Sequence, residues 1–237
     1  MKKLLSILLL ATPLAAFASS AVHLDTAPVN LNDNASLQRG AKLFVNYCLS
    51  CHSASYMRYN RLQDIGLNEE QIKDNLMFAG EKVGETMNVA MNKAEAKQWF
   101  GATPPDLTVI ARSRGADWLY TYLRGFYRDE TRATGWNNTV FDKVGMPHVL
   151  YQLQGEQELR VEKHGEHETK TLELVKPGKM SKAEYDVAAG DLVNYLVYMG
   201  EPTQLLRKKL GIVVLLFLGV FFVLAYYLKK EYWKDIH

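Results

Sequence analysis

Residues Leu210 to Leu228 form a run of 19 without a charge, rich in Leu, Val and Phe, and no other stretch constrains the chain so strongly. As a helix rising 1.5 Å per residue it covers about 28 Å, close to the thickness of a bilayer's hydrocarbon core. The core helix of a soluble domain usually keeps a polar face, whereas this segment is apolar all round. Tyr226, Tyr227 and Trp233 stand where an interfacial belt lies, and Lys229, Lys230 and Lys234 follow. The segment reads as one transmembrane anchor, 207–230 with its core at 210–228.

The opposite end decides the compartment. Lys2 and Lys3 precede an apolar run from Leu4 to Leu10, and Ala16-Phe17-Ala18 follows as a small-residue cleavage pattern. This is the layout of a secretory signal peptide over 1–18, with the mature chain starting near Ser19. The run is too short to span a bilayer, so a retained N-terminal anchor is the weaker alternative. Arg207, Lys208 and Lys209 crowd the near side of the C-terminal span, so counting positive charges does not orient it. Export from the N-terminus does: 19–206 is expected in the periplasm and 231–237 as a cytoplasmic tail of a single-pass inner-membrane protein.

Residues 21 to 204 number 184, enough for one well-cored domain. Of the chain's 28 basic residues, two lie in the signal and six after 204, which leaves 20 against 24 acidic ones and a formal charge of −4. Such a domain offers nothing to a nucleic-acid backbone and suits a soluble basic partner.

Only two cysteines occur, Cys48 and Cys51, and His52 follows at once. In an exported protein a cysteine pair ordinarily suggests a disulfide. C-x-x-C-H is instead the haem-attachment signature. Leu37, Ala41, Phe44, Val45 and Cys48 recur at helical spacing, so both sulfurs fall near one face at the end of a helix and can reach one porphyrin edge. The adjoining imidazole is a suitable axial donor. A thioredoxin-like C-x-x-C would want a preceding strand, and a zinc site a second ligand pair.

The second axial ligand separates an electron carrier from a haem enzyme or gas sensor with an open iron. Met57, Met77, Met87, Met91, Met146, Met180 and Met199 are available, and methionine is commonly core filler. Met77 falls in a helical run after Asn68. Met199 falls in the helix opened by the capping box Ser181-x-x-Glu184, which buries Tyr185, Leu192, Val193 and Leu196 and ends near Gly200 and Pro202. Met146 lies between Gly145 and Pro147 in a segment, Trp136 to His148, without sustained helical or strand period. His148 is the rival ligand two residues on. His164 and His167 form H-x-x-H among charged neighbours, where a solvated hairpin tip is favoured over a metal site.

Together these residues carry a resemblance. Leu37-Gln38-Arg39-Gly40 leading into Tyr47-Cys48-Leu49-Ser50-Cys51-His52-Ser53 resembles the haem-attachment helix of the cytochrome c1 family, the c-type subunit of the cytochrome bc1 complex. So do Pro104-Pro105-Asp106-Leu107-Thr108, then Arg112, Arg114 and an aromatic helix from Asp117 to Tyr127, then Gly145-Met146-Pro147 and the tail anchor. The similarity runs from about residue 37 to the C-terminus.

The resemblance implies a mainly α, class I cytochrome c-like domain with a small β-hairpin excursion and one C-terminal transmembrane helix. It implies one covalent haem c held by Cys48 and Cys51, with His52 and Met146 as the iron's axial ligands. Arg114 looks like the arginine that pairs with a haem propionate, although Arg112 is close by. Pro105 resembles a proline whose carbonyl accepts the second ring N–H of His52, and the prolines equally suit the start of a helix. The family is a non-catalytic relay between the Rieske iron–sulfur protein and a c-type cytochrome, assembled with cytochrome b in a dimeric complex. A membrane-tethered cytochrome of another assembly is the alternative. Larger relatives carry insertions and in some cases extra cysteines, so a compact form without a disulfide is expected. Val149 to Val175, with Leu159, Val161, Leu172 and Leu174 alternating, reads as the hairpin.

Overall fold

The structure is a computed structural model that describes residues 23–235 except 90, 165 and 166. The expected signal segment 1–18 lies outside them. Helix α1 (Asn34–Leu43) starts where the Asp33 carboxylate accepts from the Ser36 N–H at 3.0 Å, and it continues as a π-helical turn, Phe44–Cys48. Leu37, Gly40, Ala41, Phe44, Val45 and Cys48 are all buried, an i, i+3, i+4, i+7, i+8, i+11 stripe. The stripe packs on α7 (Lys182–Gly200), the central helix, whose N-terminus carries the expected Ser181/Glu184 capping box.

The crossing of these helices is set by Gly40. A Cβ there would stand 2.1 Å from the Asp191 carbonyl oxygen and 2.7 Å from the Tyr195 Cβ. Beside it the Arg39 guanidinium grips Asp191 with two bonds of 2.6 and 2.9 Å, and one turn on Phe44 and Tyr195 meet with ring centroids 5.6 Å apart. A strap from residue 23 lies across the rest of α7. Asn194 exchanges bonds with both backbone groups of Asn30, and Arg124 bridges Asp25 at 2.8 Å and Asp186 at 2.6 Å.

The remaining elements are short. They are β1 (Ala54–Arg58), a 3-10 segment Tyr59–Ile65, α2 (Glu69–Leu76), β2 (Thr86–Met87), α3 (Lys93–Phe100), α4 (Ile110–Arg114) and α5 (Ala116–Arg124). After them come β3 (Phe126–Arg128), β4 (Trp136–Asn138), α6 (Tyr151–Gln154), β5 (Gly155–His164) and β6 (His167–Pro177). The strands form three antiparallel pairs, β1–β2, β3–β4 and β5–β6, so the domain is mainly α as expected.

Three local readings need correction. The aromatic helix expected to Tyr127 ends at Arg124. Leu119, Tyr122, Leu123 and Phe126 keep helical spacing and are all buried, so the period runs on past the true end. The chain turns out at Gly125, where a Cβ would meet the Thr139 hydroxyl at 2.5 Å. Secondly, Trp136 to His148 is not wholly irregular, because Trp136–Asn138 pairs with Arg128–Phe126. Three residues are too few to show an alternation. Thirdly, the hairpin begins at Gly155, after the helical turn Tyr151–Gln154. Gly155 (φ 98°) has the Lys176 carbonyl oxygen 2.3 Å from where a Cβ would be, so only glycine passes there.

Leu159 faces Leu172 across the hairpin, and His164 pairs with His167 in its last register position. Its base is fixed by Gln157, which donates to the Arg124 and Phe126 carbonyls at 3.1 and 2.9 Å, and by Glu156 between Arg128 and Lys176. Hydrogen bonds from Arg128 and Lys176 hold the Glu156 carboxyl down at about 2. Finally α8 (Gln204–Tyr232) runs 29 residues, starting before the expected 207, with none of them buried against the domain. It is long and apolar enough to cross a membrane. Glu201, ahead of it, pairs with Arg207 on α8 and with Arg112 on α4 at 3.6 Å.

Candidate haem site

The end of α1 delivers the cysteines. The π turn brings Cys48 into the buried stripe, and the N–H groups of Cys51 and His52 both fold back on the Cys48 carbonyl at 3.1 and 2.9 Å. Cys48 is buried and Cys51 partly exposed, and they are not joined in a disulfide. Burial pushes the Cys48 thiol up to about 12, so it sits as an uncharged thiol rather than a thiolate.

The segment after His52 is stitched to residues 105–108. The Leu107 N–H donates to the Ser53 carbonyl at 2.9 Å, and Asp106 accepts from the Ser55 N–H and from both the N–H and the hydroxyl of Thr108. Partial burial raises the Asp106 carboxyl, but the bonds from Thr108 and Ser55 outweigh it and hold it below its ordinary range. This clasp sets the Pro105 carbonyl 2.7 Å from Nδ1 of His52. With Nδ1–H donating there, Nε2 carries the free lone pair that a metal needs. Burial lowers the His52 pKa, against the Pro105 bond, which favours the neutral ring. Pro105 does not open a helix: α4 begins only at Ile110.

Tyr47, Cys48, Cys51 and His52 line a cavity of about 320 Å³, together with Pro104, Pro105, Arg114, Trp118, Tyr122, Gly145, Met146 and Pro147. Of the candidate methionines only Met146 is among the lining residues. Met57, Met87 and Met199 are buried in the core, and Met77 and Met180 pack against it. Arg114 lines the cavity with its guanidinium 5.1 Å from the Trp118 ring centre and 5.8 Å from that of Phe141. Arg112 is taken by Glu201. That separates the two arginines, which sequence alone left side by side.

His148 does not line the cavity. It is 2% exposed, stacked on Phe126 at 4.8 Å and met edge-on by Trp136 at 5.0 Å. Burial, with Arg128 nearby, drives its pKa to about 4 from 6.5, the Gln154 side chain opposing. Below pH 6.5 the unfolded chain binds a proton that the fold refuses, so stability falls as pH drops to 4 and no further below it. The loss is on the order of 3 kcal/mol at 1.36 kcal/mol per unit. Denaturant melts of wild type and His148→Phe between pH 8 and 4 are expected to diverge by that much in this window, the variant being the flatter. Parallel curves would contradict it.

Several residues that shape the site escaped sequence reasoning. Asn137 and Asn138 are buried at 4% and 2%. The Asn137 amide donates to Asp129 and Asp142 while its oxygen accepts from the Lys143 and Asn138 N–H groups. Asn138 donates to the Tyr122 carbonyl and accepts from Val140 and Phe141. These bonds, with Lys143 at a positive φ of 57°, shape the loop that presents Met146. An Asn-Asn pair after a tryptophan was the available signal.

The cavity suits a flat apolar macrocycle. Two thiols, an oriented imidazole, a thioether and the Arg114 guanidinium stand around its apolar lining, a set of groups chemically suited to a macrocycle that carries a metal and carboxylates. A C-x-x-C-H turn opening onto such a cavity defines a c-type cytochrome, and among the described residues one helix is long and apolar enough to anchor it in a membrane.

The comparisons agree. The family model described as the Cytochrome C1 family matches residues 25–88 and 79–236. A cytochrome c1 of Allochromatium vinosum is 51% identical over 100% of this chain and 99% of its own length. A protein of Nitrosomonas europaea called an ammonia monooxygenase gamma subunit is 55% identical over 99% of this chain and all of its own. A cytochrome c1 of Rhodospirillum rubrum is 30% identical over 86% and 83%. The chain belongs to the cytochrome c1 family, and haem c, covalently bound, is its cofactor.

Proposed function

We propose that this chain is the one-electron relay of a cytochrome bc1 complex, receiving electrons from the Rieske iron–sulfur protein and passing them to a c-type cytochrome. The observation that carries the reading is that Cys48, Cys51, His52 and Met146 line one apolar cavity. Haem c bound there supplies a one-electron iron couple. Cys48 and Cys51 would form the thioethers that hold it, and His52 and Met146 would ligate its iron. Pro105 fixes the imidazole through Nδ1, Arg114 would pair with a propionate, and the apolar lining would exclude water. No substrate is transformed at this chain; catalysis belongs to the assembly with cytochrome b, itself a dimer.

In this reading 1–18 is a cleaved signal peptide, 19–206 the periplasmic domain, 207–230 the anchor in the inner membrane and 231–237 a cytoplasmic tail. The formal −4 of the exported part suits a basic electron acceptor. Mild detergent extraction of the tagged full chain is expected to bring down cytochrome b and the Rieske protein in equal amounts. A second reading, a haem c subunit of another membrane assembly, draws on the name of the Nitrosomonas europaea relative. Recovery with other membrane subunits and without cytochrome b would favour it and sink the first.

A further inference from the structure

Two of the buried tyrosines of this fold end on backbone carbonyls. Tyr185 donates to the Leu123 carbonyl at 2.9 Å, and Tyr198 to that of Arg61 at 2.7 Å. Tyr122, 9% exposed on α5, differs: its hydroxyl donates to the Met146 sulfur at 3.4 Å. A thioether is a weak acceptor, so a buried phenol aimed at one is held there by something else. The Tyr122 ring lies flat on Trp118, with centroids 4.8 Å apart and planes within 12°, and takes Phe126 edge-on at 5.0 Å. Its carbonyl accepts from Asn138 at 2.8 Å, and Asn138 also ties the loop toward Met146. Helix and loop are thus clamped so that hydroxyl and sulfur meet at the cavity wall.

We propose that Tyr122 is a positioning residue for the haem iron's sixth ligand, its hydroxyl holding the Met146 thioether in place and drawing electron density from the sulfur. This rests on the reading of Met146 as that ligand. A thioether sulfur has two lone pairs, one free to accept the phenol proton while the other faces the metal. Accepting it makes Met146 a poorer donor to the oxidised iron, which favours the reduced form and raises the potential. It also keeps the sulfur from swinging out and admitting an exogenous ligand.

The fold contains its own control. Tyr195 donates to the Met87 sulfur at 3.7 Å, deep in the core, and neither residue lines the cavity. The test compares the haem-loaded full chain as wild type, Tyr122→Phe, Tyr195→Phe and Met146→Ala, by redox titration and by carbon monoxide binding to the reduced form. Tyr122→Phe keeps the stacked ring. It is expected to lower the potential and to raise carbon monoxide affinity roughly 3- to 10-fold, the factor one net hydrogen bond is worth. Tyr195→Phe is expected to change neither. A Tyr122→Phe protein with wild-type potential and affinity overturns the inference, as does an equal shift from Tyr195→Phe. In those cases Met146→Ala tells which idea failed: if it alters both readouts, the ligand assignment survives without Tyr122, and if it is silent both fall.

Discussion

Met146→Ala is expected to turn a closed haem site into one that binds carbon monoxide on mixing, with the potential falling by on the order of 0.1 V or more. Axial ligation sets haem potentials over a range of about 0.8 V, and loss of a thioether takes away the ligand that favours the reduced state. The loop should survive the change. Its shape comes from Asn137, Asn138 and Lys143, whose bonds involve no atom of Met146. Truncation at the cavity wall therefore removes the sulfur without releasing the backbone. His148 is no substitute, being locked between Phe126 and Trp136. If the variant keeps the wild-type spectrum and potential, another group holds the sixth position.

Gly40→Ala is expected to destabilise the protein by about 3 kcal/mol or more, although helix propensity alone says the reverse. In an exposed helix interior alanine is better than glycine by about 1 kcal/mol. At Gly40 the added carbon would stand 2.1 Å from a backbone oxygen of α7, which cannot rotate aside as a side chain might. The helices must part, and overpacking of this kind commonly costs about 1–3 kcal/mol before the loosening of neighbours. Here the neighbours are the Arg39–Asp191 pair and the Phe44–Tyr195 contact. Cys48 lies two turns down the same helix, so less haem-loaded protein should accumulate as well. Thermal unfolding of the loaded full chain decides the sign: an unchanged or higher midpoint would mean that propensity governs this position.

Much of the site was legible because its chemistry is local. Cys48, Cys51 and His52 share one turn of backbone, and a capping box such as Ser181/Glu184 is written in four consecutive residues. The helix of residues 182–200 could be delimited for the same reason. Misreadings arose where a local pattern outlived its element. Phe126 continues the helical spacing of Leu119, Tyr122 and Leu123 but belongs to a strand, because Gly125 lets the chain pass close to Thr139. The hairpin's alternation was visible, but its start at Gly155 depends on a close approach to Lys176 across the pair.

By itself, then, the sequence determined the haem-attachment turn, the apolar helix at the C-terminus, the mainly helical class and the short list of methionines, since each is a matter of neighbours along the chain. Only the tertiary structure shows the different surroundings of Met146 and His148, and of Arg114 and Arg112, between which the family resemblance chooses without giving a physical cause. Residues two apart have the same propensities and nearly the same context, and what distinguishes them is which element lies opposite. For His148 that is the aromatic nest of Phe126 and Trp136; for Arg112 it is Glu201, 89 residues away. For Met146 it is the cavity beside His52, and a hydroxyl from Tyr122 that no spacing in the sequence announces.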